Sequence, residues 1–177
     1  MAPGSMWMDG SSSAEISACG LYRYLLRRKW RDGKPCAFIM LNPSTADAQQ
    51  DDPTIRRCLG FARAWGCGEL LVVNLFAYRA TSPRDLYEAS DPVGPDNMGY
   101  VKQAVDYAAR AYRDAPGLTV CAWGHHGTYL DQDRTVMGWL DQQGIVPMAL
   151  AMTKDGQPRH PLYLKSDLAP APYAGRT

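Results

Sequence analysis

The sequence predicts a three-layer α/β/α fold, in which a mainly parallel, four-stranded sheet lies between layers of helices. Four nearly continuous apolar runs, at 36–41, 70–75, 118–122 and 145–151, are typical of strands covered on both faces. Segments with helical character separate these runs, and strands that alternate with helices form right-handed βαβ units. The segment 20–26 alternates aromatic and arginine side chains and predicts an extra antiparallel strand at the N-terminal edge.

The first of the predicted helices has the clearest ends. Asp52 suits the N-cap, Pro53 suits the first helical position, and Gly66 suits the position just past the last turn. Two further helices are predicted at about 96–113 and 128–143. The helices therefore fall between the predicted strands, as a parallel sheet requires.

Length and composition predict a single domain. The chain has 177 residues, of which 46% are hydrophobic, which is enough for one proper core. We assign residues 16–169 to this domain, residues 1–15 to a tag or disordered lead, and residues 170–177 to a flexible tail. A monomer is favoured.

Net charge and cysteine usage limit which partners and which cellular location are expected. A formal net charge of +1 gives no overall attraction to nucleic acid, so such binding needs a local basic face. The five cysteines lack a CxxC pair or a metal-ligand spacing, which indicates reduced thiols. We expect a cytoplasmic protein with no membrane partner, because neither a secretion signal nor a long apolar span is visible.

The polar loops of the chain follow the predicted strands. They lie at 42–52, 74–82, 123–127 and 152–163. In open parallel sheets, ligands bind beyond the carboxyl ends of the strands. We therefore expect these loops to share one rim and to form the site.

The first loop opens with Asn42-Pro43-Ser44. The bland interpretation is a tight turn in which Asn and Ser bond to local backbone. In the functional interpretation, Asn42 positions a water and a nearby carboxylate assists it. Asp52 is already used as a helix cap, so Asp47 and Asp51 are the preferred carboxylates.

The second loop begins with Asn74, at the end of an apolar strand where an unpaired amide is costly. Its amide either caps neighbouring backbone or matches the edge of a nucleobase, because it offers both a donor and an acceptor. Phe76, Tyr78 and Arg79 follow as candidates for stacking on a base or holding a phosphate.

The third and fourth loops add a flexible backbone and an imidazole. Trp123-Gly124-His125-His126-Gly127 permits close approach of backbone to a ligand, whereas adjacent histidines alone are poor metal ligands. No metal and no cofactor is predicted. His160 is either an ordinary solvent-bonded residue or, beside Asn42 and Asn74, a hydrogen-bond donor to a leaving group.

Taken together, these motifs resemble the uracil-DNA glycosylase superfamily. Asn42-Pro43-Ser44 is similar to its water-positioning loop, Asn74 to its base-reading asparagine, Trp123-Gly124 to the end of its third strand, and His160-Pro161 to its final loop. The order agrees over residues 36–165. At closer range the chain resembles a bacterial family catalogued as domain of unknown function 1643, which carries no established activity.

The resemblance has two departures. Ser44 replaces a glycine that gives backbone access to the base, and Leu162-Tyr163 replaces a Ser-Pro that grips phosphate. Tyr163 or Leu162 is nevertheless a candidate wedge for the gap left by a flipped nucleotide. The predicted contacts to the nucleic-acid backbone are Arg56, Arg63, Lys154 and Arg159.

The resemblance implies an N-glycosidic hydrolase that releases a pyrimidine base, with DNA as the favoured partner. Asn42 would position water with Asp47 or Asp51, Asn74 would read the base, and His160 would stabilise the leaving base. Two alternatives remain open: a nucleic-acid or nucleotide-binding module without turnover, and a hydrolase of a free nucleobase-containing small molecule.

Overall fold

The computed structural model describes residues 12–176. Their elements are, in chain order, β1 (Ser12–Ile16), β2 (Arg23–Lys29), β3 (Pro35–Met40), α1 (Pro53–Ala64), β4 (Glu69–Asn74), α2 (Pro83–Glu88), α3 (Asn97–Arg110), β5 (Leu118–Cys121), a 3₁₀ segment (His125–Asp131), α4 (Gln132–Gln142), β6 (Met148–Ala149) and β7 (Ala171–Pro172).

The strands form one open sheet in the order β1-β2-β4-β3-β5-β6-β7. β4, β3, β5 and β6 run parallel to one another, and these are the four strands that the apolar runs predict. β1, β2 and β7 add antiparallel strands outside them. The α/β class and the mainly parallel centre are thus confirmed, whereas the sheet has seven strands instead of four or five.

The two ends of the sheet differ from the sequence-based expectation. β2 is not an edge strand, because β1 pairs with its outer side. β1 begins at Ser12, in the part predicted to be a tag or disordered lead, while residues 1–11 of that lead lie outside the described residues. β7 lies in the predicted flexible tail and pairs with β6. Neither short strand has an apolar run, so no local side-chain pattern predicts them.

Helices cover both faces of the sheet. Successive side chains of a strand point to opposite faces, so each strand contributes to two cores. In β3, Phe38 packs in a core with α1, and Ile39 packs in a second core with α3 and α4. The near-continuous burial of β3 and β4 follows from this double cover, and it is why their sequences are apolar rather than alternating.

The helix ends agree with the sequence where capping residues mark them. α1 starts at Pro53, and the Asp52 side chain accepts a hydrogen bond from the Ile55 N–H at 2.9 Å, as predicted. α4 starts later than predicted, because Leu130 has a left-handed φ of 53° that interrupts the helical path. α2, with Ser82 as its N-cap, was not predicted.

The order of the strands creates a crevice at the carboxyl end of β3. The chain leaves β3 through α1 to reach β4 on one side, and later passes through α3 to reach β5 on the other side. Connections that diverge to opposite faces leave an opening between them, where ligands of α/β proteins bind. The loops after β3, β4 and β5 meet there.

Two observations bear on membranes and metals. Within residues 12–176, no helix combines the length and the apolar character that crossing a membrane requires. The same residues contain no group of three or more His, Cys, Asp or Glu side chains arranged to hold a metal ion. All five cysteines are free thiols, and Cys19 is the exposed one.

Candidate functional site

A cleft of about 430 Å³ opens at the carboxyl ends of β3, β4 and β5. Its size is within the usual range of small-molecule sites. It brings together residues from each of the polar loops that the sequence points to. The predicted site residues that line it are Asn42, Ser44, Asn74, Trp123, Gly124 and His160.

Asn42 connects the first two loops. Its Nδ2 donates to the carbonyl of Ala80 at 2.8 Å and to that of Pro43 at 3.1 Å, and the Ala80 N–H donates to Pro43 O at 2.9 Å. The backbone-bonding role foreseen for a tight turn is therefore present. Because both bonds use Nδ2, the Oδ1 of Asn42 is left as an acceptor suited to a hydrogen bond from water.

Asn74 ends β4 with its side chain 1% exposed. Its Nδ2 is buried and has no hydrogen-bond partner within the described residues. The strand end is held instead by Asn97, whose Nδ2 donates to Asn74 O at 2.9 Å and to Leu75 O at 3.1 Å. The Nδ2 of Asn74 is thus not used as a backbone cap, and Asn74 lines the cleft with this buried donor unpaired.

The imidazole of His160 has one N–H group, at Nε2, when it is neutral. Its Nδ1 accepts a hydrogen bond from the Leu162 N–H at 3.2 Å, which places the proton of a neutral ring on Nε2. Burial lowers the pKa of His160 from 6.5, although the negative charge of Asp52 opposes that shift. At neutral pH the ring is therefore uncharged and acts as a donor through Nε2.

The carboxylate in the cleft belongs to Asp52, the reverse of the expectation. Asp47 lies outside the cleft and accepts the N–H groups of Gln49 and Gln50, each at 2.8 Å, which lowers its pKa. Asp51 also lies outside it and pairs with Arg28 at 2.9 Å. Asp52 caps α1 and lines the cleft at the same time, so its capping role did not remove it from the site.

The cleft also contains a cation that was not predicted. Arg23, the first residue of β2, is 2% exposed and lines the cleft. Its Nη1 donates to the Ala46 carbonyl at 2.8 Å. Burial lowers the pKa of Arg23 to about 10, so the guanidinium stays charged at neutral pH.

The wall formed by Trp123 rests on a buried polar network. Its indole N–H donates to Gln157 Oε1 at 2.8 Å, and Gln157 Nε2 donates to Asp133 at 3.3 Å. Asp133 in turn accepts from Arg176 at 2.6 Å. A Cβ at Gly127 would lie 2.0 Å from Trp123 Cδ1, so glycine at this position permits the packing of the indole.

Two other histidines stand at the mouth of the cleft. His125 Nδ1 lies 2.6 Å from Asp155, and His126 Nδ1 lies 2.6 Å from the hydroxyl of Tyr87 in α2. The three histidines of the chain therefore all line one cleft. The sequence had suggested a role for the backbone of this loop and not for these side chains.

The other predicted substrate contacts do not line the cleft. Pro43 and Phe76 are buried, and Phe76 packs against Tyr129. Tyr78 packs edge-on against Tyr22, and Arg79 donates to the carbonyl of Gly20 at 3.2 Å. Tyr163 is 91% exposed with a left-handed φ of 68°.

The predicted contacts to a nucleic-acid backbone are exposed but are scattered around the molecule. Arg56 donates to the carbonyl of Asp51 at 2.6 Å, and the guanidinium of Arg63 lies 5.1 Å from the ring of Trp30. Arg56 lines a second cavity beside α1, of about 240 Å³. Lys154 and Arg159 are exposed in the last loop, outside both cavities.

The comparisons with known proteins give one family. Residues 23–162 match the family described as protein of unknown function (DUF1643). The chain belongs to this family. Searches of the curated proteins and of the solved structures found no match, so the resemblance to uracil-DNA glycosylases rests on the sequence motifs alone.

The part that matches DUF1643 contains the whole cleft. It starts at Arg23 and ends two residues after His160, and every residue that lines the cleft falls between them. Tyr163 and β1 lie outside it. For this DUF1643 protein, the residues that line the cleft therefore all belong to the matched region.

Sequence reasoning missed Arg23 and undervalued Asp52, for different reasons. Arginines in a short basic segment are usually exposed, and nothing local marks Arg23 as buried. Asp52 was recognised as a cap, but a cap with two oxygens can bond one N–H and still face a cleft.

Proposed function

We propose that this protein is an N-glycosidic hydrolase that releases a nucleobase, with a pyrimidine in DNA as the favoured substrate. The observation that carries the proposal is the convergence of Asn42, Asn74 and His160 on one cleft with a carboxylate, Asp52, beside them. Each offers the hydrogen-bonding group that one step of base release needs.

The proposed reaction breaks the bond between C1′ and the base and joins water to C1′. Asn42 Oδ1 would accept a hydrogen bond from the attacking water and fix its position, and the proton that the water loses on bonding to C1′ would pass to solvent. Asp52 would stabilise the positive charge that develops on the sugar, in place of the Asp47 or Asp51 expected from the sequence. The base would leave as an anion and take its proton from solvent.

Recognition and departure of the base would fall to two side chains. The unpaired Nδ2 of Asn74 would donate to a base carbonyl. His160, neutral and protonated at Nε2, would donate to the negative charge that develops on the leaving base. A neutral donor suits this task because it stabilises an anion without releasing a proton to it too early.

The glycosylase-like arrangement of layers is part of the same proposal. It is supported by α1 on one face of the sheet, by α3 and α4 on the other, and by the loops that follow β3, β4 and β5. Tyr163 would serve as a wedge in duplex DNA, which its exposure and its position three residues after His160 support.

The direct test is release of base from defined oligonucleotides. Purified protein is incubated with single- and double-stranded DNA that carries uracil, mismatched thymine or modified pyrimidines, and free base is measured by mass spectrometry. We expect release from at least one substrate, and loss of it in Asn42→Ala. Release by that variant at the wild-type rate would indicate a contaminant, and no release from any substrate would reject the proposal for DNA.

A hydrolase of free nucleotides is the second candidate, and Arg23 favours it. A buried cation inside the cleft suits a substrate that brings its own anion, whereas the predicted DNA-backbone contacts lie outside the cleft. A panel of free nucleosides and nucleotides, assayed without DNA, separates the two. A binding module without turnover would instead bind oligonucleotides with steep salt dependence and release nothing.

A further inference from the structure

Arg23 differs from the other buried arginines of its strand. Arg27 pairs with Glu69, and Arg28 pairs with Asp51 at 2.9 Å. Arg23 forms no ion pair within residues 12–176, and its buried Nε has no hydrogen-bond acceptor there. Three arginines on one strand thus share the same burial, and one of them lacks a carboxylate.

An unpaired buried charge is costly to a folded protein. Removing a guanidinium from water is unfavourable unless an anion or several hydrogen bonds compensate it. A single bond to the Ala46 carbonyl compensates only part of that cost. Charges of this kind persist where they serve a ligand, which supplies the missing partner when it binds.

A second unsatisfied donor lines the same cleft. Asn74 Nδ2 is buried without a partner, like Arg23 Nε. Both groups are N–H donors, and one carries a positive charge. The ligand that satisfies them together must be rich in acceptors and negatively charged, which describes the oxyanion of a carboxylate or phosphate.

The other charges near Arg23 are compatible with an anion. Asp52 lines the cleft, but its oxygens accept from the Ile55 N–H at 2.9 Å and the Ala46 N–H at 3.3 Å. Those donors and the end of α1 moderate its negative charge. Burial has the largest effect on the pKa of Arg23 and lowers it; the negative charge of Asp52 comes next and raises it, and the positive charge of Arg79 follows and lowers it.

We propose that Arg23 and Asn74 form an oxyanion subsite at the base of the cleft, which binds a carboxylate or phosphate group of the ligand. What the subsite implies about the substrate rests on the proposed function. If the protein is a hydrolase of this kind, its substrate is either a carboxylated base or a nucleotide that carries its own phosphate. The subsite itself is defined by binding alone.

The test compares matched charged and uncharged probes by calorimetry on the full chain. Deoxyuridine 5′-monophosphate against deoxyuridine tests the phosphate source, and 5-carboxyuracil against uracil tests the carboxylate source. We expect one charged probe to bind about tenfold or more tightly than its uncharged partner, as an added charge-assisted hydrogen bond gives. Equal affinities in both pairs would overturn the proposal.

Variants show whether Arg23 is responsible. Arg23→Met should remove the preference for the charged probe, whereas Lys165→Met, which deletes an exposed positive charge outside the cleft, should keep it. A preference that survives in Arg23→Met would refute the subsite. If Arg23→Met does not fold, Arg23→Lys decides: it must weaken the charged probe by about tenfold and leave the uncharged probe unchanged, because an ammonium lacks the planar fork.

Melting temperatures without ligand give an independent result. Arg23→Met relieves an unpaired charge, so we expect it to melt no lower than the wild type. Arg27→Met leaves the buried carboxylate of Glu69 without its cation and with the Tyr107 hydroxyl as a donor at 2.9 Å, so it should melt lower. Equal losses would mean that Arg23 only supports the loop at Ala46, against the proposal. Base release without charge preference would reject the subsite alone, and charge preference without base release would reject only the hydrolase.

Discussion

Replacing His160 by alanine tests the chemical step most directly. Because Leu162 N–H occupies Nδ1 at 3.2 Å, the ring offers the cleft one donor, Nε2, and alanine removes that donor without altering any charge at neutral pH. Removing one donor to a developing anion costs about 3–4 kcal/mol of transition-state stabilisation. At 1.36 kcal/mol for each factor of ten, base release should fall by about two to three orders of magnitude.

The assay is single-turnover release of base from whichever substrate the wild-type protein cleaves. Substrate binding, measured separately, should change little, because the donor acts on charge that appears only as the bond breaks. His160→Gln should recover about tenfold over alanine, since its amide can donate from a similar position. That recovery would distinguish lost hydrogen bonding from lost packing.

His125→Ala is the matched control. His125 also lines the cleft, but it is exposed and bonded to Asp155 at 2.6 Å, so its loss should change the rate by less than about threefold. The reasoning is refuted if His160→Ala releases base at nearly the wild-type rate, or if both alanine variants lose activity equally. Melting curves of both variants exclude unfolding as the cause.

Three further predictions concern stability. Gly127→Ala should lower the free energy of unfolding by about 3 kcal/mol in urea titrations, because its Cβ would lie 2.0 Å from Trp123. Gly138→Ala is the control: its Cβ would have nothing within 4 Å, so the substitution should be neutral or stabilising. Trp123→Phe should cost about 2 kcal/mol by leaving Gln157 Oε1 without its donor, and an unchanged urea midpoint would contradict this network. Burial lowers the pKa of His160 in the folded protein, so the imidazole of the unfolded chain is protonated first as the pH falls. The free energy of unfolding should therefore fall as the pH drops below 6.5, and it should fall less in His160→Ala.

The central parallel strands and α1 were predictable because their sequence signals are local. Apolar runs predicted the parallel centre of the sheet, and Asp52-Pro53 predicted the start of α1. The edges were not predictable, since Ser12 and Ala171 join the sheet through backbone hydrogen bonds that carry no side-chain pattern. Tertiary pairing, rather than propensity, decides such short strands.

The site was predictable to the level of its loops but not of its carboxylate or its cation. Asn42, Asn74 and His160 follow from one rule, that ligands bind at the carboxyl ends of parallel strands. Choosing among Asp47, Asp51 and Asp52 depended on which side of a loop each oxygen faces, and a sequence does not contain that information. The burial of Arg23 depends on the pairing of β2 with β1 on one side and β4 on the other.

The network behind Trp123 has a practical consequence for how this protein is shortened. Arg176 is the cation of Asp133, which is 2% exposed and reaches Gln157, three residues before His160. A chain cut after residue 169 would remove β7 and leave that carboxylate without its charge partner beneath the loop that bears the imidazole. The minimal folding unit therefore extends past the matched stretch 23–162, and fragments designed on that stretch alone would compromise the cleft they were meant to isolate.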